Sequence, residues 1–300
     1  MKQLVILSGK GGTGKTSIAA AFAHLAHDGP SRLRSVLADA DVDAANLDLV
    51  LRPRRLEEHE FIAGPLAFID EALCQACGLC ADVCRFDALV EGPHYQVDPI
   101  ACEGCAACVY VCPEQAIRMQ PQRGGSWYRS ESAYGPLFHA ELFPGQENSG
   151  KLVTLVKQQA RLLGLDEGYQ AVLVDGPPGI GCPVISAISG ADLALVVAEA
   201  TASGLHDVKR ALATTAHFQV ASLVCINRWD IDPDSAERIE DHCRGQGVEV
   251  VGRIPFDPAV VEAMVQGVPV TSYRPKADAS RALVGIWDQV AARLNGKDPG

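Results

Sequence analysis

Two kinds of segment are missing from this 300-residue chain. It has no run of 18 apolar residues, so the sequence predicts no membrane-spanning helix. It also has no run of five basic residues, and its net charge is −11, which argues against nucleic acid as a partner because phosphate binding needs clustered Lys and Arg. The apolar run near the start, in MKQLVILSGKGG, is too short for a signal peptide, so we expect a cytoplasmic protein.

Cysteine, by contrast, is abundant, with eleven residues. Thiols stay reduced in the cytoplasm, so this number indicates metal ligation rather than disulfides. Eight of them lie in residues 66–119 as two copies of the spacing Cys-x2-Cys-x2-Cys-x3-Cys, offset by 28 residues. The first copy is Cys74, Cys77, Cys80 and Cys84, and the second is Cys102, Cys105, Cys108 and Cys112.

Each copy has the ligand spacing of the bacterial ferredoxins. Zinc is the alternative because paired Cys-x2-Cys units also bind zinc, but two runs of four cysteines favour two [4Fe–4S] clusters. The resemblance implies that the last sulfur of each run crosses to the other cluster. Cluster one would then use Cys74, Cys77, Cys80 and Cys112, and cluster two would use Cys102, Cys105, Cys108 and Cys84. Arg85 departs from the pattern, since proline often follows the first run as Pro113 follows the second.

A second motif, SGKGGTGKT, occupies residues 8–16 between an apolar run at 3–7 and an Ala-rich helical pattern at 15–27. Its Gly-x4-Gly-Lys-Thr spacing is the Walker A pattern, whose backbone N–H groups surround a β-phosphate at a helix N-terminus. Lys15 is predicted to contact the β- and γ-phosphates of ATP, and the Thr16 hydroxyl to ligate Mg²⁺. The other predicted nucleotide-binding residues of the loop are Gly11, Gly12, Thr13, Gly14 and Ser17.

Lys10, directly after the first glycine of the motif, makes the chain resemble the deviant Walker A ATPases. This class contains the MinD and ParA partitioning ATPases, the nitrogenase iron protein and the Mrp-type cluster carriers. The resemblance implies that Lys10 reaches the nucleotide of a second subunit and takes part in catalysis with Lys15. It therefore implies an ATP-dependent homodimer, or a heterodimer with a related ATPase.

Further stretches resemble the switches of that class. In Asp39-Ala40-Asp41 the resemblance implies that Asp39 holds a water on the metal and that Asp41 orients or activates the attacking water. In DGPPG, residues 175–179, it implies that Asp175 binds Mg²⁺ through water and that Gly179 senses the γ-phosphate. The predicted adenine contacts are Asn227, Arg228 and Pro255.

Apolar strand patterns alternate with helical ones over most of the chain, which is typical of a parallel sheet covered on both faces. We therefore predict an α/β P-loop NTPase fold with a mostly parallel sheet, formed by residues 1–65 and 120–300. Residues 66–119 are predicted to form an inserted ferredoxin-like α+β domain, followed by a hairpin-rich connector at 120–150. A last helix at about 278–294 is predicted to pack into the core, with a membrane-surface helix as the alternative.

Three cysteines lie outside the repeated runs. Cys225 and Cys243 fall in a strand and a helix and are predicted to be inert. Cys182 lies seven residues after Asp175, where the nitrogenase iron protein has a cysteine that ligates a cluster shared across its dimer. Two interpretations of Cys182 stay open: it ligates a cluster shared across a dimer, or it is a small residue packed behind the switch.

The two motifs together predict an ATPase coupled to a redox event. The leading hypothesis is a dimeric iron–sulfur ATPase that exchanges electrons with a partner metalloprotein. One alternative is a carrier for cluster or metal-cofactor assembly, although the Cys-x-x-Cys pair near the C-terminus of Mrp-type carriers is missing. Another is a positioning ATPase of cell division with structural or sensing clusters, although the chain has no basic amphipathic C-terminal helix.

Overall fold

The protein is described from a computed structural model covering residues 1–144 and 149–296. The predicted connector at 120–150 and the predicted ATPase domain, which ends at 300, therefore extend partly outside the described residues. Strands occur at β1 Lys2–Ser8, β2 Ser35–Asp39, β3 Arg54–Ile69, β4 Leu89–Val90, β5 Gln96–Val97, β6 Ile117–Ser132, β7 Gly135–Leu142, β8 Ala171–Pro178, β9 Leu193–Glu199, β10 Ala221–Asn227 and β11 Glu249–Ile254.

Helices alternate with most of these strands. They occur at α1 Lys15–Asp28, α2 Leu47–Leu51, α3 Leu79–Asp82, α4 Ala107–Val111, α5 Ser149–Asp166, α6 Cys182–Ile188, α7 Gly204–His217, α8 Pro233–Gly245, α9 Pro258–Gln266, α10 Val270–Tyr273 and α11 Asp278–Leu294. None of the helices described at 1–144 and 149–296 is long and apolar enough to cross a membrane.

The main sheet has nine strands in the order β11-β10-β9-β1-β8-β2-β7-β6-β3. From β11 to β7 each neighbouring pair is parallel, with β1 between β8 and β9 and β2 between β8 and β7. The central strands have continuous apolar runs in their interior because helices cover both faces of a parallel sheet. Leu4 to Ile6 of β1, for example, are fully buried. The predicted α/β fold with a mostly parallel sheet is confirmed.

The predicted core packing of the last helix is also confirmed. Its apolar residues recur at three- and four-residue spacing and so share one face of α11. Five of them are at most 4% exposed: Leu283, Ile286, Trp287, Val290 and Leu294. The Trp287 ring packs against Phe22 of α1 at a centroid distance of 5.0 Å, and its indole N–H donates to the carbonyl of Ser31 at 2.9 Å.

The chain divides into two compact units. Unit one contains Met1–Glu58, Trp127–Glu141 and the chain from Ser149 onward, and unit two contains His59–Ser126 with the segment that begins at Leu142. β3 and β6, each of 16 residues, contribute residues to both units. Neither strand is interrupted at the predicted insert boundaries of 66 and 119, so unit two also includes strand residues on both sides of the predicted insert.

Candidate functional site

The phosphate loop of unit one has a backbone that only glycine adopts without strain at two positions. Gly12 and Gly14 have φ angles of 77° and 94°, in the left-handed region. A Cβ atom on Gly14 would also lie 2.5 Å from the side-chain nitrogen of Asn227. The loop therefore curves between the end of β1 and the first residue of α1, and its N–H groups lie at the N-terminus of that helix.

The last residue of β10 and the residue that follows it hold the loop in place. Asn227 Nδ2 donates to the carbonyl of Thr13 at 2.8 Å, and Arg228 Nη2 donates to the carbonyl of Gly12 at 3.1 Å. A cavity beside the loop is lined by Asn227, Arg228 and Pro255 together with Gly14 and Ser17. The structure thus brings the three residues predicted to contact adenine next to the phosphate loop.

Lys10 is held by residues of its own chain. Its ammonium group lies 2.8 Å from Glu199 Oε2 and within 3.4 Å of the hydroxyls of Thr201 and Ser203. Glu199 Oε1 also accepts from Arg228 Nη1 at 2.9 Å, so one carboxylate connects Lys10 with the arginine that contacts Gly12. The sequence analysis missed Glu199. Its place as the last residue of β9 is a usable signal, because ligand sites of α/β sheets lie at the carboxyl ends of strands.

Two switch carboxylates lie side by side at this edge of the sheet. Asp39 ends β2 and is paired in register with Asp175 of β8. Asp39 accepts three backbone N–H groups, from Asp41 at 3.1 Å, Asn46 at 3.1 Å and Leu47 at 3.0 Å. These bonds tie the chain that follows β2 to the end of the strand.

Asp175 differs from Asp39 because neither of its carboxylate oxygens has a partner of good hydrogen-bond geometry among the described residues. Burial raises the pKa of Asp175 to about 7, against the opposing effects of the Thr16 hydroxyl and the Lys15 ammonium. Burial, and then the charge of Asp175, raise the pKa of Asp39 well above its ordinary value. The oxygens of Asp175 without a partner, next to the hydroxyl of Thr16 and the carboxylate of Asp39, match the oxygen ligands that Mg²⁺ prefers.

Lys15 and Asp41 complete the group. Lys15 is 5% exposed, and its charge lowers the pKa of both Asp175 and Asp41. Burial nevertheless raises the pKa of Asp41 overall. Gly179, at the end of the second switch, donates its N–H to the carbonyl of Ser8 at 2.9 Å. The structure therefore gathers the Walker A residues and both switches at one edge of the sheet, and this arrangement can bind a metal-bound triphosphate.

In unit two, the repeated cysteines line two separate cavities. One is lined by Cys74, Cys77, Cys80 and Cys112, with Tyr95, Pro113 and Ile117 among its other residues. The second is lined by Cys84, Cys102, Cys105 and Cys108, with Phe86 and Leu89. Each cavity thus has three thiols from one run and the fourth from the other run. Four thiols around one apolar cavity are a donor set that fits an iron–sulfur cluster.

The last cysteine of each run has the same hydrogen-bond environment. The Ala88 N–H donates to Cys84 Sγ at 3.4 Å, and the Ala116 N–H donates to Cys112 Sγ at 3.3 Å. These pairs are 28 residues apart, like the runs themselves. N–H bonds to a sulfur stabilise its thiolate form and tune a cluster that it binds.

Backbone bonds join the two halves of unit two in a reciprocal way. The Asp70 N–H, before the first run, donates to the carbonyl of Ala116, after the second run, at 2.8 Å. The Asp98 N–H, before the second run, donates to the carbonyl of Ala88, after the first run, also at 2.8 Å. The 28-residue repeat is therefore an approximate two-fold repeat of structure as well as of sequence.

The remaining observations concern sites for single metal ions and the three cysteines outside the repeated runs. In the described parts of the chain, no three His, Cys, Asp or Glu side chains are grouped closely enough to hold a single metal ion. Cys225 and Cys243 are fully buried, and burial raises the pKa of their thiols to about 12 and about 11, so both stay protonated. Cys182 is exposed at the first residue of α6, and its role stays a prediction.

Comparison with known proteins places this geometry in a family. The family described as the CobQ/CobB/MinD/ParA nucleotide binding domain matches residues 4–270. An uncharacterised relative from Methanocaldococcus jannaschii, MJ0578, is 37% identical over 227 residues, which are 75% of this chain and 78% of that protein.

Solved structures of two other proteins share the fold. The septum site-determining protein MinD from Pyrococcus horikoshii, complexed with Mg-ADP, has a TM-score of 0.56 at 19% identity and covers 100% of this chain and 99% of its own. A chain of the MinC:MinD cell division complex from Aquifex aeolicus has a TM-score of 0.58 at 22% identity and covers 100% of this chain and 98% of its own.

Proposed function

Because the chain belongs to the CobQ/CobB/MinD/ParA nucleotide-binding family, we propose that it is an ATPase that couples nucleotide-dependent dimerisation to electron transfer through two [4Fe–4S] clusters. The observation that carries the redox part is the pair of cavities in unit two, each lined by four thiols. In this proposal the ATPase domain comprises residues 1–65 and 120–300, and the ferredoxin-like insert comprises 66–119. The protein acts in the reducing cytoplasm on a partner that has a metal centre.

ATP hydrolysis is assigned to the buried residues at the carboxyl edge of the sheet. The N–H groups of the phosphate loop and Lys15 bind the phosphates and stabilise the charge that develops on them. Thr16, Asp175 and Asp39 would hold Mg²⁺, which would neutralise charge on the phosphates. Asp41 orients the attacking water. Asn227, Arg228 and Pro255 surround the adenine.

Lys10 is proposed to connect hydrolysis with dimerisation. In the single chain the Lys10 ammonium is paired with Glu199. On dimerisation it would exchange this partner for the phosphates of the ATP bound to the neighbouring subunit. The carboxylate of Glu199 would then keep its second bond, to Arg228. The partner chain is a second copy of this protein or a related ATPase.

The clusters supply one-electron storage and transfer, and the protein supplies the ligands and their surroundings. Cys74, Cys77, Cys80 and Cys112 hold cluster one, and Cys102, Cys105, Cys108 and Cys84 hold cluster two. The N–H bonds to Cys84 and Cys112 favour the thiolate forms that bind iron. The insert lies in the chain between Asp41 and Asp175, so both of its connections lead to segments that respond to the γ-phosphate.

The proposal is tested by measuring cluster potentials in each nucleotide state. The anaerobically purified protein is titrated with MgADP and with a non-hydrolysable MgATP analogue, and reduction is followed by electron paramagnetic resonance. We expect the potentials, or the rate at which oxidised benzyl viologen reoxidises the reduced protein, to differ between the two nucleotides. Lys15→Ala is the control that removes the nucleotide effect without touching a cysteine.

Two results would contradict the proposal. A protein with about eight irons per chain whose potentials and reoxidation rates are identical in both nucleotide states would have no coupling. A protein that is purified anaerobically with an intact ATPase and no iron would have no redox function.

A second candidate function, positioning in cell division, is favoured by the fold shared with septum site-determining MinD. Its distinguishing result is an ATP-dependent localisation that persists when the cluster cysteines are replaced in a folded protein. Electron transfer would be abolished by the same replacements.

A further inference from the structure

Unit one contains a cavity of about 490 Å³ at the edge of the sheet opposite to the phosphate loop. Its walls come from the end of α1, the chain leading into β2, the turn between β6 and β7, and the residues just before β8. β2 begins at this cavity with Ser35 and ends at the switch residue Asp39, so the two sites lie at opposite ends of the same strand. The 14 residues of α1 separate the sites by roughly 20 Å.

Two guanidinium groups contribute to the cavity. No carboxylate lies within 4.0 Å of the guanidinium nitrogens of Arg32 or Arg34 among the described residues, although Arg32 is near enough to Asp28 for their charges to interact. The Arg34 guanidinium lies 4.5 Å from the centroid of the Tyr169 ring, a cation–π contact that restricts its position. The backbone N–H of Arg34 donates to Gln170 Oε1 at 3.0 Å, so its main chain is held as well. A planar guanidinium that is oriented in advance and has no carboxylate partner is well suited to bind a phosphate through two hydrogen bonds.

The other polar and aromatic groups of the cavity match the rest of a nucleotide. Tyr134 lies in the turn between β6 and β7 and lines the cavity, and its partly buried ring lies edge-on to the rings of His24 at 5.5 Å and His27 at 6.2 Å. It offers an aromatic surface to a planar base, which stacks on such rings. Glu131 lines the same cavity and can accept hydrogen bonds from ribose hydroxyls.

We propose that this cavity is a second binding site, which takes a nucleoside monophosphate or an organic phosphate of similar size. Arg32 and Arg34 bind the phosphate, Tyr134 stacks on the base and Glu131 accepts from the sugar. The cavity volume lies within the 300–1,000 Å³ typical of small-molecule sites and is too large for an inorganic ion alone. The site is independent of the cysteine cavities and does not rest on the electron-transfer proposal.

The test is isothermal titration of the anaerobic holoprotein with AMP, GMP, CMP and UMP, in EDTA so that binding of metal-dependent nucleotide at the phosphate loop is weakened. Adenosine and inorganic phosphate are titrated separately to measure how much of the affinity comes from the nucleoside and how much from the phosphate. Benzoate is titrated to test whether a simple carboxylate binds. Arg32→Gln and Arg34→Gln are compared with Arg210→Gln, an exposed arginine on α7. Lys15→Gln reports binding at the phosphate loop.

We expect at least one monophosphate to bind to the wild type, Arg210→Gln and Lys15→Gln with the same affinity. We expect its Kd to rise at least tenfold in Arg32→Gln and in Arg34→Gln. If the arginine variants do not fold, Ala133→Trp at the exposed rim should block the cavity by bulk alone and give the same loss. The proposal is overturned if no monophosphate binds at millimolar concentration, if benzoate binds and the monophosphates do not, or if affinity is lost only in Lys15→Gln.

Discussion

At the scale of single residues, the burial of Asp175 has a measurable consequence for stability. An acid with a higher pKa in the folded than in the unfolded protein binds more protons when folded. It therefore stabilises the fold at acidic pH, and this contribution is lost as the pH rises from about 4 to about 7. The ionised carboxylate of Asp175, next to Asp39, therefore destabilises the nucleotide-free protein near neutral pH.

We predict that Asp175→Asn abolishes ATP hydrolysis and stabilises the nucleotide-free protein at pH 8 by on the order of 2 kcal/mol. The gain should be much smaller at pH 4.5, because Asp175 in the folded wild type is then largely protonated. Urea unfolding in EDTA at several pH values measures both effects. Asp166→Asn, an exposed carboxylate at the end of α5, should show no such pH dependence. A stability gain of the same size at both pH values would contradict this account of the burial of Asp175.

Only some residues of the candidate site could be predicted from the sequence. The Walker A loop could be predicted because Gly12, Gly14 and Lys15 perform their roles through local backbone geometry. Glu199 was missed although it ends a predicted strand, because its significance depends on Lys10 and Arg228, which are far away in sequence and come together only across the sheet. The same limit applies to Asn227, which was predicted to contact adenine and in the structure also bonds to the phosphate loop.

At the scale of elements, a buried lysine joins two helices. Lys157 of α5 donates to the carbonyls of Ser186, Ala187 and Ser189 at 2.6–2.8 Å, at the C-terminal end of α6. The carbonyls at a helix C-terminus lack partners within the helix, so the lysine satisfies groups that would otherwise be buried without hydrogen bonds. Burial lowers the pKa of Lys157 to about 8, whereas the three acceptors favour its charged form.

We predict that Lys157→Met destabilises the protein by about 2–4 kcal/mol, because it leaves three carbonyls without this donor. Since α6 follows the second switch, its amides should exchange faster in hydrogen–deuterium exchange, while those of α8 should not change. Lys209→Met, on the exposed face of α7, is the matched control. An unchanged exchange rate in α6 would show that the helix end does not depend on this lysine.

The crossing of the two cysteine runs gives a second prediction at this scale. Cys84→Ala with Cys105→Ala removes two ligands from the same cavity and should lower the iron content from about eight to about four per chain. Cys80→Ala with Cys84→Ala removes two ligands of one run that line different cavities, and should lower the iron content much further. Iron analysis of anaerobic protein distinguishes these cases. The reverse order of iron contents would mean that each run binds its own cluster.

The apolar patterns at 3–7, 15–27 and 278–294 predicted β1, α1 and α11 to within one residue at each end, because these patterns are regular. Residues 120–150 were expected to form a hairpin-rich connector. Their described part contains a hairpin, since β6 and β7 are neighbours in the sheet and are joined by the turn at 133–134, but these strands also extend the main sheet, which was not predicted. The strand pattern in β6 is hidden by polar residues, namely Arg118, Gln120, Gln122 and Arg123. The extended form of β6 depends on pairing with neighbouring strands rather than on its own composition.

At the scale of the whole molecule, the two ends of the cysteine-bearing segment, residues 71–115, lie next to each other. The hydrogen bond between the Asp70 N–H and the Ala116 carbonyl shows that the two ends of residues 71–115 are adjacent. β3 and β6, which lead into and out of this segment, are neighbours in the sheet. A short turn can therefore replace the segment without stretching the chain.

We predict that replacing residues 71–115 with an Asn-Gly turn gives a folded protein that still binds MgADP, with a Kd within about threefold of the wild type, and that contains no iron. Titration calorimetry and iron analysis measure the two properties. The same turn with Lys15→Ala is the control that should lose nucleotide binding. A deletion variant that unfolds would mean that the ATPase requires the insert for its stability.

The exchange of Cys84 and Cys112 between the two cavities has a consequence for how this segment can evolve. Each half of the repeat has only three thiols for its own cavity and donates its fourth to the other. A single half is therefore unable to complete a ligand set, so losing one copy removes the use of both. We therefore expect relatives of this chain to have either the whole repeat or none of it.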